Sequence, residues 1–251
     1  MHSKNPANIE RGDGGRQEAP LREAVALVTG ASRGIGLAIA GMLQELGAKV
    51  AICARDAAQL DAAAAQLSSA GGTVLTQAAD VSRAVDVEHL VRSIEAHLGT
   101  ISILVNNAGI GLFGAVQERT EEEWDRVLDT NLKSVFLVSR AVIPGMIRRG
   151  GGDIINISSL AGRNAFAGGA LYCASKWGLQ GLTACMAEDL REHGIRVASV
   201  LPGSVATSFS SRPKDPAKAL LAEDVAHAVA TLVTQRPQSF ISEIQLRPLR
   251  K

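Results

Sequence analysis

Short apolar runs alternate with helical patterns from residue 24 to residue 246 of the 251-residue chain, and this alternation constrains the fold more than any other feature. The runs are rich in Val, Ile and Leu and too short for helices, which indicates strands buried on both faces. The predicted strands lie at 24–29, 49–54, 73–79, 101–105, 153–158, 195–201 and 240–246.

The segments between the strands predict helices, several of them ending at glycine. The predicted helices lie at 35–46, 57–70, 82–98, from Thr120 onward, at 132–149, 172–193 and 222–234. Ser82 is the predicted cap of the third helix, and Thr120 with Glu123 forms a predicted capping box. A strand–helix unit of about 30 residues is the βαβ motif, which requires a parallel sheet covered by helices on both faces. We therefore predict an α/β, doubly wound fold with a mostly parallel seven-stranded sheet.

No Pro/Ser-rich linker interrupts the pattern, so we predict a single domain at 24–251 after a flexible N-terminal tail at 1–23. The 26 basic and 25 acidic residues give a net charge of +1, which provides no field for nucleic acid. No apolar run approaches the roughly 20 residues that span a bilayer. Three cysteines without a C-x-x-C pair argue against a zinc site and favour a reducing compartment. We therefore predict a cytoplasmic protein with no metal, nucleic-acid or membrane partner.

A glycine-rich turn, TGASRGIG at 29–36, follows the first predicted strand. Its glycines allow a tight turn, close approach of the backbone to a pyrophosphate, and close packing of the helix on the strand. Free N–H groups at the start of the helix then face the phosphates. The turn predicts a dinucleotide site at the carboxyl ends of the strands, and an ordinary glycine-rich turn is the alternative.

The end of the second predicted strand bears on the choice between NADP and NAD. A site for NAD often places an acidic residue there to bind the ribose 2′-hydroxyl. That position falls on Ala54, Arg55 follows it, and Arg33 of the glycine-rich turn points to the same region. Two guanidinium groups can hold a 2′-phosphate, so we predict NADP(H) in preference to NAD(H). Asp56 leaves NAD open, because a shift of two residues would bring an acid near the ribose.

Polar residues also follow the third and fourth predicted strands. NNAG at 106–109 combines amides that can satisfy exposed backbone groups with small residues that leave room for a cofactor. Asp80 could accept a hydrogen bond from an adenine amino group, and a helix cap is the alternative role.

The reaction chemistry is predicted at Tyr172, the single tyrosine of the chain. Lys176 lies four residues later, so both side chains share one face of a helix. A free phenol has a pKa of about 10, and a neighbouring cation favours the phenolate and lowers that pKa. Ser158 and Ser159 end the fifth strand. A surface Tyr–Lys pair is the alternative interpretation.

In this combination, the sequence resembles the short-chain dehydrogenase/reductases of the single-domain branch, including members such as the 3-oxoacyl-ACP reductases. The resemblance runs from about residue 24 to residue 246. It rests on TGASRGIG at 29–36, NNAG at 106–109, Asn131, a serine thirteen residues before the tyrosine, YCASK at 172–176 and PGSVAT at 202–207. It implies a Rossmann fold and an enzyme that uses NAD(P) and acts on CH–OH or C=O groups.

The resemblance also implies catalytic roles. Tyr172 is the general acid in reduction and the base in oxidation, and Lys176 lowers its pKa and binds the nicotinamide ribose. Ser159 hydrogen-bonds the substrate oxygen, with Ser158 as a supporting neighbour. Asn131 holds a water in a proton relay. The implied cofactor contacts are Gly30, Ser32, Arg33, Gly34, Ile35, Gly36, Arg55, Asp80, Val81, Asn107, Ala108, Gly109, Tyr172, Lys176, Pro202, Gly203, Val205 and Thr207.

We therefore predict an NADP(H)-dependent reductase that converts a ketone or 3-oxoacyl carbonyl to a secondary alcohol. Reduction is favoured because NADP is kept largely reduced in cells. The alternatives are an NAD-dependent secondary-alcohol dehydrogenase and a dinucleotide-binding regulator without catalysis. The predicted substrate lining lies at 110–114, 160–170 and 205–212, with few chemically distinctive groups, and a short substrate lid lies between Gly203 and Glu223. The resemblance implies a homodimer or homotetramer built by the helices at 132–149 and 172–193.

Overall fold

The structure, a computed structural model, describes residues 19–68, 74–209, 215 and 218–249. The predicted seven strands are present in this part of the chain and form one sheet in which every neighbouring pair is parallel. Central strands are buried along their whole length, as their continuous apolar runs require. The strands are β1 (Val25–Thr29), β2 (Lys49–Ala54), β3 (Val74–Ala78), β4 (Ile103–Asn106), β5 (Gly152–Ile157), β6 (Ile195–Pro202) and β7 (Glu243–Leu246).

The strand order is β3-β2-β1-β4-β5-β6-β7, which is the order of a doubly wound Rossmann sheet. The chain builds outward from β1 to β3, then returns to pair β4 with β1 and continues in the opposite direction. The reversal leaves a crevice at the carboxyl ends of β1 and β4, because the following connections leave toward opposite sides. The predicted fold class is therefore confirmed.

Helices connect the strands and cover both faces of the sheet. They are α1 (Gly34–Glu45), α2 (Ala57–Ser68), α3 (Ala84–Leu98), α4 (Glu121–Leu128), α5 (Ser134–Arg149), α6 (Ala170–Leu190) and α7 (Ala222–Val233). One apolar layer lies between the sheet and α1, α2 and α7, and includes Ile39, Leu60 and Val229. The other lies under α3, α5 and α6, and includes Leu90 and Met146. No helix of the described residues is both long and apolar enough to cross a membrane.

Two local predictions need correction. Ser82 does not cap α3, because its side chain and its backbone N–H both donate to Asp80, and the helix begins after Arg83. Helix α5 begins at Ser134 rather than at residue 132, because a π-helical turn at Asp129–Lys133 separates it from α4. The capping box at Thr120 and Glu123 is confirmed by both of its hydrogen bonds.

The predicted N-terminal tail falls largely outside the described residues, which begin at residue 19. Within its last part, Leu21 is buried in the layer under α1, and its N–H donates to the Leu46 carbonyl over 2.9 Å. The folded unit therefore includes Leu21.

Candidate active site

A cavity of about 1140 Å³ lies at the carboxyl ends of the strands, where the strand order reverses. Loops that follow β1 to β6 contribute to its wall. The predicted site residues line it, except Gly36 and Asn131, which lie behind the wall together with Asn106. One end of the cavity, the phosphate end, is formed by the glycine-rich turn at 29–36 and the residues after β2 and β3. The other, the carbonyl end, surrounds Tyr172.

Glycine is required at two positions of the phosphate end for steric reasons. Gly30 has φ +64°, and a Cβ there would lie 2.8 Å from the Cα of Ala108. A Cβ on Gly36 would lie 2.5 Å from Nδ2 of Asn107 and 2.6 Å from the Gly30 carbonyl oxygen. Helix α1 has no side-chain cap, because Arg33 at the N-cap makes no such hydrogen bond. Its first N–H groups therefore remain available to a phosphate.

Asn107 holds the glycine-rich turn in place. Its Nδ2 donates to the carbonyl oxygens of Thr29, over 2.9 Å, and of Gly30, over 3.0 Å. The Thr29 hydroxyl accepts in return from the N–H groups of Asn107 and Ala108. The motif at 106–109 thus ties the end of β4 to the end of β1 across the crevice.

The outer part of the phosphate end contains two arginines, and the residue that ends β2 is not acidic. Ala54 is the last residue of β2, as predicted, and both Arg33 and Arg55 line the cavity. Neither guanidinium forms an ion pair or hydrogen bond with another described residue. Asp56 also lines the cavity, but both of its carboxylate oxygens accept hydrogen bonds from Gln59 at the start of α2. Asp56, the acidic residue that kept NAD as an alternative cofactor, therefore caps helix α2.

Asp80 forms a turn beside this region. Its Oδ1 accepts from the N–H and the hydroxyl of Ser82, over 3.0 and 2.7 Å. Burial raises the pKa of Asp80, but these hydrogen bonds and the charges of Arg55 and Arg83 outweigh it and hold the pKa below its usual range. The carboxylate therefore stays charged, with Val81 beside it in the lining.

At the carbonyl end, Tyr172 and Lys176 lie one turn apart on α6. The Lys176 Nζ donates to the Ile157 carbonyl over 2.8 Å and lies 5.8 Å from the centroid of the Tyr172 ring. Burial lowers the pKa of Lys176 to about 8. Burial also raises the pKa of Tyr172 to about 12, although a hydrogen bond with Ser159 lowers it in part.

Desolvation of the phenolate is the main cause of this raised pKa, and desolvation also lowers the pKa of Lys176. That Lys176 lowers the pKa of Tyr172 therefore stays a prediction. At neutral pH the phenol holds its proton and the lysine retains its positive charge.

Ser159 lies beside Tyr172 at the start of a 3₁₀ turn, Leu160–Gly162. Its Oγ accepts from the Ala161 N–H over 3.1 Å, and its hydroxyl also shares a hydrogen bond with Tyr172. Ser158 also lines the cavity, but its buried hydroxyl has no hydrogen-bond partner among the described residues. The predicted division between an acting and a supporting serine stays a prediction.

Asn131 is fully buried in the π-helical turn between α4 and α5. Its Oδ1 accepts from the Ile110 N–H over 2.8 Å, and its Nδ2 donates to the Ile110 carbonyl and to the Ser175 hydroxyl. The side chain therefore joins the loop after β4 to helix α6, next to Lys176. Its predicted role in holding a water stays a prediction.

Three phenylalanines complete the carbonyl end, and their arrangement was not anticipated. Phe113, Phe166 and Phe209 line the cavity around Tyr172. They fall within the predicted lining at 110–114, 160–170 and 205–212, but that lining was expected to have few distinctive groups. The chain has few aromatic residues, and half of them meet at this one site. This scarcity is the one sequence feature that could have drawn attention to the three phenylalanines.

Glu243 on β7 connects the two elements that carry Ser159 and Tyr172. Its Oε2 accepts from Nη2 of Arg163, just after the Ser159 turn, and from Nε2 of Gln180 on α6, over 2.8 and 2.7 Å. A side chain near the end of the chain thus fixes the Ser159 turn against the helix of Tyr172.

No group of three His, Cys, Asp or Glu residues suited to a metal occurs among the described residues.

Comparisons with known proteins agree with this architecture. The family model for short chain dehydrogenases matches residues 24–243. The chain is 42% identical over 192 residues to dehydrogenase/reductase SDR family member 4 of Oryctolagus cuniculus, covering 76% of this chain and 74% of the relative. It is 39% identical over 188 residues to 2-(S)-hydroxypropyl-CoM dehydrogenase 3 of Xanthobacter autotrophicus, covering 75% and 74% of the two chains.

Two solved structures are similar over nearly all of their length. A metagenomic short-chain oxidoreductase in complex with NADP is 46% identical, with a TM-score of 0.82, and the match covers 91% of this chain and 99% of the other. An alcohol dehydrogenase from the archaeon Thermococcus sibiricus, complexed with 5-hydroxy-NADP, is 31% identical, with a TM-score of 0.85 and coverage of 91% and 97%.

Proposed function

The chain belongs to the short-chain dehydrogenase/reductase family, and on that premise we propose that it is an NADP(H)-dependent carbonyl reductase. Membership makes it an NAD(P)-dependent oxidoreductase of CH–OH and C=O groups. One observation supports the finer proposal. Tyr172, Ser159 and Lys176 lie at one end of a cavity whose other end presents Arg33 and Arg55.

The phosphate end fits a dinucleotide that carries an extra phosphate. The uncapped start of α1 and the space kept open by Gly30 suit a pyrophosphate. Arg33 and Arg55 would hold a 2′-phosphate, since Ala54 supplies no acid to repel it and Asp56 is engaged with Gln59. Similar proteins complexed with NADP or a derivative of it support the same choice.

We assign the remaining implied cofactor contacts by their position in the lining. Asp80 and Val81 would contact the adenine, and NNAG at 106–109 would pass under the ribose. Lys176 would bind the nicotinamide ribose, and the segment from Pro202 to Thr207 would surround the carboxamide. When bound, the cofactor supplies a hydride to the carbonyl carbon.

The protein's own residues polarise the carbonyl and supply the proton. Ser159, which shares a hydrogen bond with Tyr172 in the protein alone, would donate a hydrogen bond to the carbonyl oxygen once a substrate is bound. Tyr172 gives its proton to that oxygen as negative charge develops there, and its raised pKa ensures that the proton is present at neutral pH. Lys176, charged and within 5.8 Å of the ring, stabilises the phenolate that remains.

A direct assay tests this proposal. Purified protein is mixed with NADPH or NADH and a panel of ketones, quinones and 3-oxoacyl thioesters, and the loss of reduced nicotinamide absorbance is followed. We expect turnover of at least one carbonyl class, with kcat/KM for NADPH at least about tenfold above that for NADH. A clear preference for NADH would refute the arginine argument, and no turnover of any carbonyl would refute the function.

We also propose that the enzyme is a homo-oligomer, either a dimer or a tetramer, that meets through helices α5 and α6. Phe136 on α5 and Trp177 on α6 are 47% and 53% exposed, which is unusual for large apolar side chains. Sedimentation analysis should give a species larger than a monomer.

The three cysteines are free, two of them buried, which supports a reducing compartment such as the cytoplasm.

A further inference from the structure

We propose that the carbonyl end is a site for neutral aryl ketones, in which an aromatic ring is attached directly to the carbonyl carbon. This inference rests on the proposed function and names its substrate class. It is carried by three phenylalanine side chains from separate loops: Phe113 and Phe209 contact the ring of Tyr172, and Phe166 contacts Phe113.

The rings are arranged to receive another ring. The centroid of Phe113 lies 5.5 Å from that of Tyr172 at 68°, and the centroid of Phe209 lies 5.8 Å away at 57°. Phe166 continues the wall, 6.0 Å from Phe113 at 48°. Tilted and edge-to-face contacts at such distances are the geometries that aromatic pairs prefer. A substrate ring that packs on their exposed surface can make the same kind of contact.

The rings also retain exposed surface that a ligand would cover. Phe113 and Phe209 are each 44% exposed and Phe166 is 49% exposed, although all three line the cavity. Exposed apolar surface is unfavourable in water, so a bound apolar group gains by removing it from solvent. Gly111 keeps two of the rings together, because a Cβ there would lie 2.7 Å from Phe113 and 2.8 Å from Phe209.

The described lining of the carbonyl end offers little positive charge to an anionic substrate. Among the described lining residues, the charged side chains are Arg33, Arg55, Asp56 and Asp80 at the phosphate end, and Lys176. Lys176 already donates to the Ile157 carbonyl and faces Tyr172.

Two described arginines close to the phenylalanine loops are paired with acidic side chains. Arg119, which contacts Gly114, pairs with Glu123 over 3.2 Å, and Arg163 pairs with Glu243 over 2.8 Å. A carboxylate or phosphate on the substrate would therefore meet aromatic surface without a free cation. This arrangement favours a neutral aryl ketone over a 3-oxoacyl thioester on an anionic carrier.

The reaction that follows is balanced. Hydride from the reduced nicotinamide adds to the carbonyl carbon, the C=O π bond becomes a C–O single bond, and the Tyr172 proton completes the hydroxyl. One aryl ketone, one NADPH and one proton thus give one secondary benzylic alcohol and NADP⁺.

The test compares two ketones of similar size, acetophenone and cyclohexyl methyl ketone, with NADPH. The measured quantity is the ratio of their kcat/KM values in the wild type and in the Phe113→Leu and Phe209→Leu variants. We expect each variant to lower the ratio about 3- to 10-fold, since one aromatic contact is removed while apolar volume is kept. Comparing ratios cancels the different intrinsic reactivities of the two ketones. Phe240→Leu, an exposed phenylalanine outside the cavity, is the matched control and should leave the ratio unchanged.

A second measurement uses the unaltered protein and so does not depend on how the variants fold. It compares para-methylacetophenone with para-acetylbenzoate, which adds a carboxylate of similar size. We expect kcat/KM for the carboxylate to be at least about tenfold lower, because no free cation meets it.

Each other result has a defined meaning. If both variants reduce the two ketones with an unchanged ratio, or slow both equally, the phenylalanines only support Tyr172 and the inference is overturned while carbonyl reduction stands. Equal turnover of the two para-substituted ketones also overturns it. If no ketone is reduced at all, the proposed function itself fails.

Discussion

The phosphate end and the carbonyl end of the cavity are built in opposite ways. The phosphate end uses backbone N–H groups and positions without side chains in the contiguous turn at 29–36, with Arg33 and Arg55 at its outer part. The carbonyl end uses side chains from three separate loops and one helix, with the phenylalanine rings around Tyr172. The first can recognise a ligand part common to many proteins, whereas the second can be altered loop by loop without disturbing the sheet.

The two ends nevertheless share a frame. Asn107 joins β4 to the glycine-rich turn, and Asn131 joins the loop after β4 to α6. The loop after β4 is therefore held at both ends of the cavity. Substitutions can separate what each end contributes to cofactor binding and to the reaction.

The largest effect is expected from Tyr172→Phe, which removes the proton donor and keeps the ring between Phe113 and Phe209. We expect kcat to fall about 10³-fold, because general acid catalysis contributes about 10²- to 10⁴-fold. NADPH binding, followed by fluorescence, should change little, since the phosphate end is intact. No other tyrosine can replace the lost phenol. A variant as active as the wild type would refute the mechanism.

The double variant Arg33→Ala/Arg55→Ala should act on the phosphate end alone. We expect KM for NADPH to rise about 10- to 100-fold, because two charge-assisted contacts to the 2′-phosphate are lost, while KM for NADH changes little. Arg92→Ala, an exposed arginine on α3, is the control. Equal effects on both cofactors would show that the arginines do not discriminate between them.

Gly36→Ala tests whether the phosphate end depends on absent side chains. The new Cβ would meet Nδ2 of Asn107 at 2.5 Å, so we expect the free energy of unfolding to fall by about 1–3 kcal/mol in denaturant titrations. Gly41 on the same helix has only an ordinary contact, 3.6 Å from Leu67. Gly41→Ala should therefore stabilise the protein by about 0.5–1 kcal/mol. Similar effects of both substitutions would contradict the steric argument.

The pH dependence tests the charge at the carbonyl end. Because burial lowers the pKa of Lys176 to about 8, its positive charge is lost as the pH rises above that value. We expect kcat/KM for NADPH, which reports on the free enzyme, to fall about tenfold per pH unit above about pH 8. Tyr172, with a pKa raised to about 12, cannot cause this fall.

Stability should respond to the same group with the opposite sign. The pKa of Lys176 is about 8 in the folded protein and has its ordinary value of 10.5 in the unfolded chain, so between these values the unfolded chain binds more protons. The free energy of unfolding should therefore rise with pH through this window relative to the Lys176→Met variant. A parallel pH profile of the two proteins would contradict the assigned pKa.

The smallest effect is expected from Glu243→Gln, which keeps the shape and removes the charge that joins Arg163 to Gln180. We expect kcat to fall about threefold with KM for NADPH unchanged, since a misplacement of the Ser159 turn disturbs only the carbonyl end. Glu188→Gln breaks an exposed pair with Arg191 on α6 and should have no effect. A change in KM for NADPH would show that Glu243 also supports the phosphate end.

More of the phosphate end than of the carbonyl end could be predicted from the sequence. The glycine-rich turn, Ala54 and Arg55 are set by local spacing along β1 and β2, and the structure places them as predicted. The seven strands were also predictable, because continuous apolar runs separated by helical patterns leave few alternative architectures.

The missed features depend on contacts between distant residues. Phe113, Phe166 and Phe209 are isolated in the sequence and become neighbours only through the folded loops. The pKa of Tyr172 depends on burial, which the i, i+4 spacing to Lys176 does not reveal. Glu243 lies far along the chain from Arg163, so no local pattern could indicate their pairing.

Because Tyr172 is the single tyrosine and lies beside phenylalanine rings, it can serve as a spectroscopic probe of the site. Uniform replacement of tyrosine by fluorotyrosine would introduce fluorine at one position only, the reacting ring. Its resonance would be shifted by the ring currents of Phe113 and Phe209, at centroid distances of 5.5 and 5.8 Å. Ligand arrival beside that ring can thus be observed without any cysteine tag or second label.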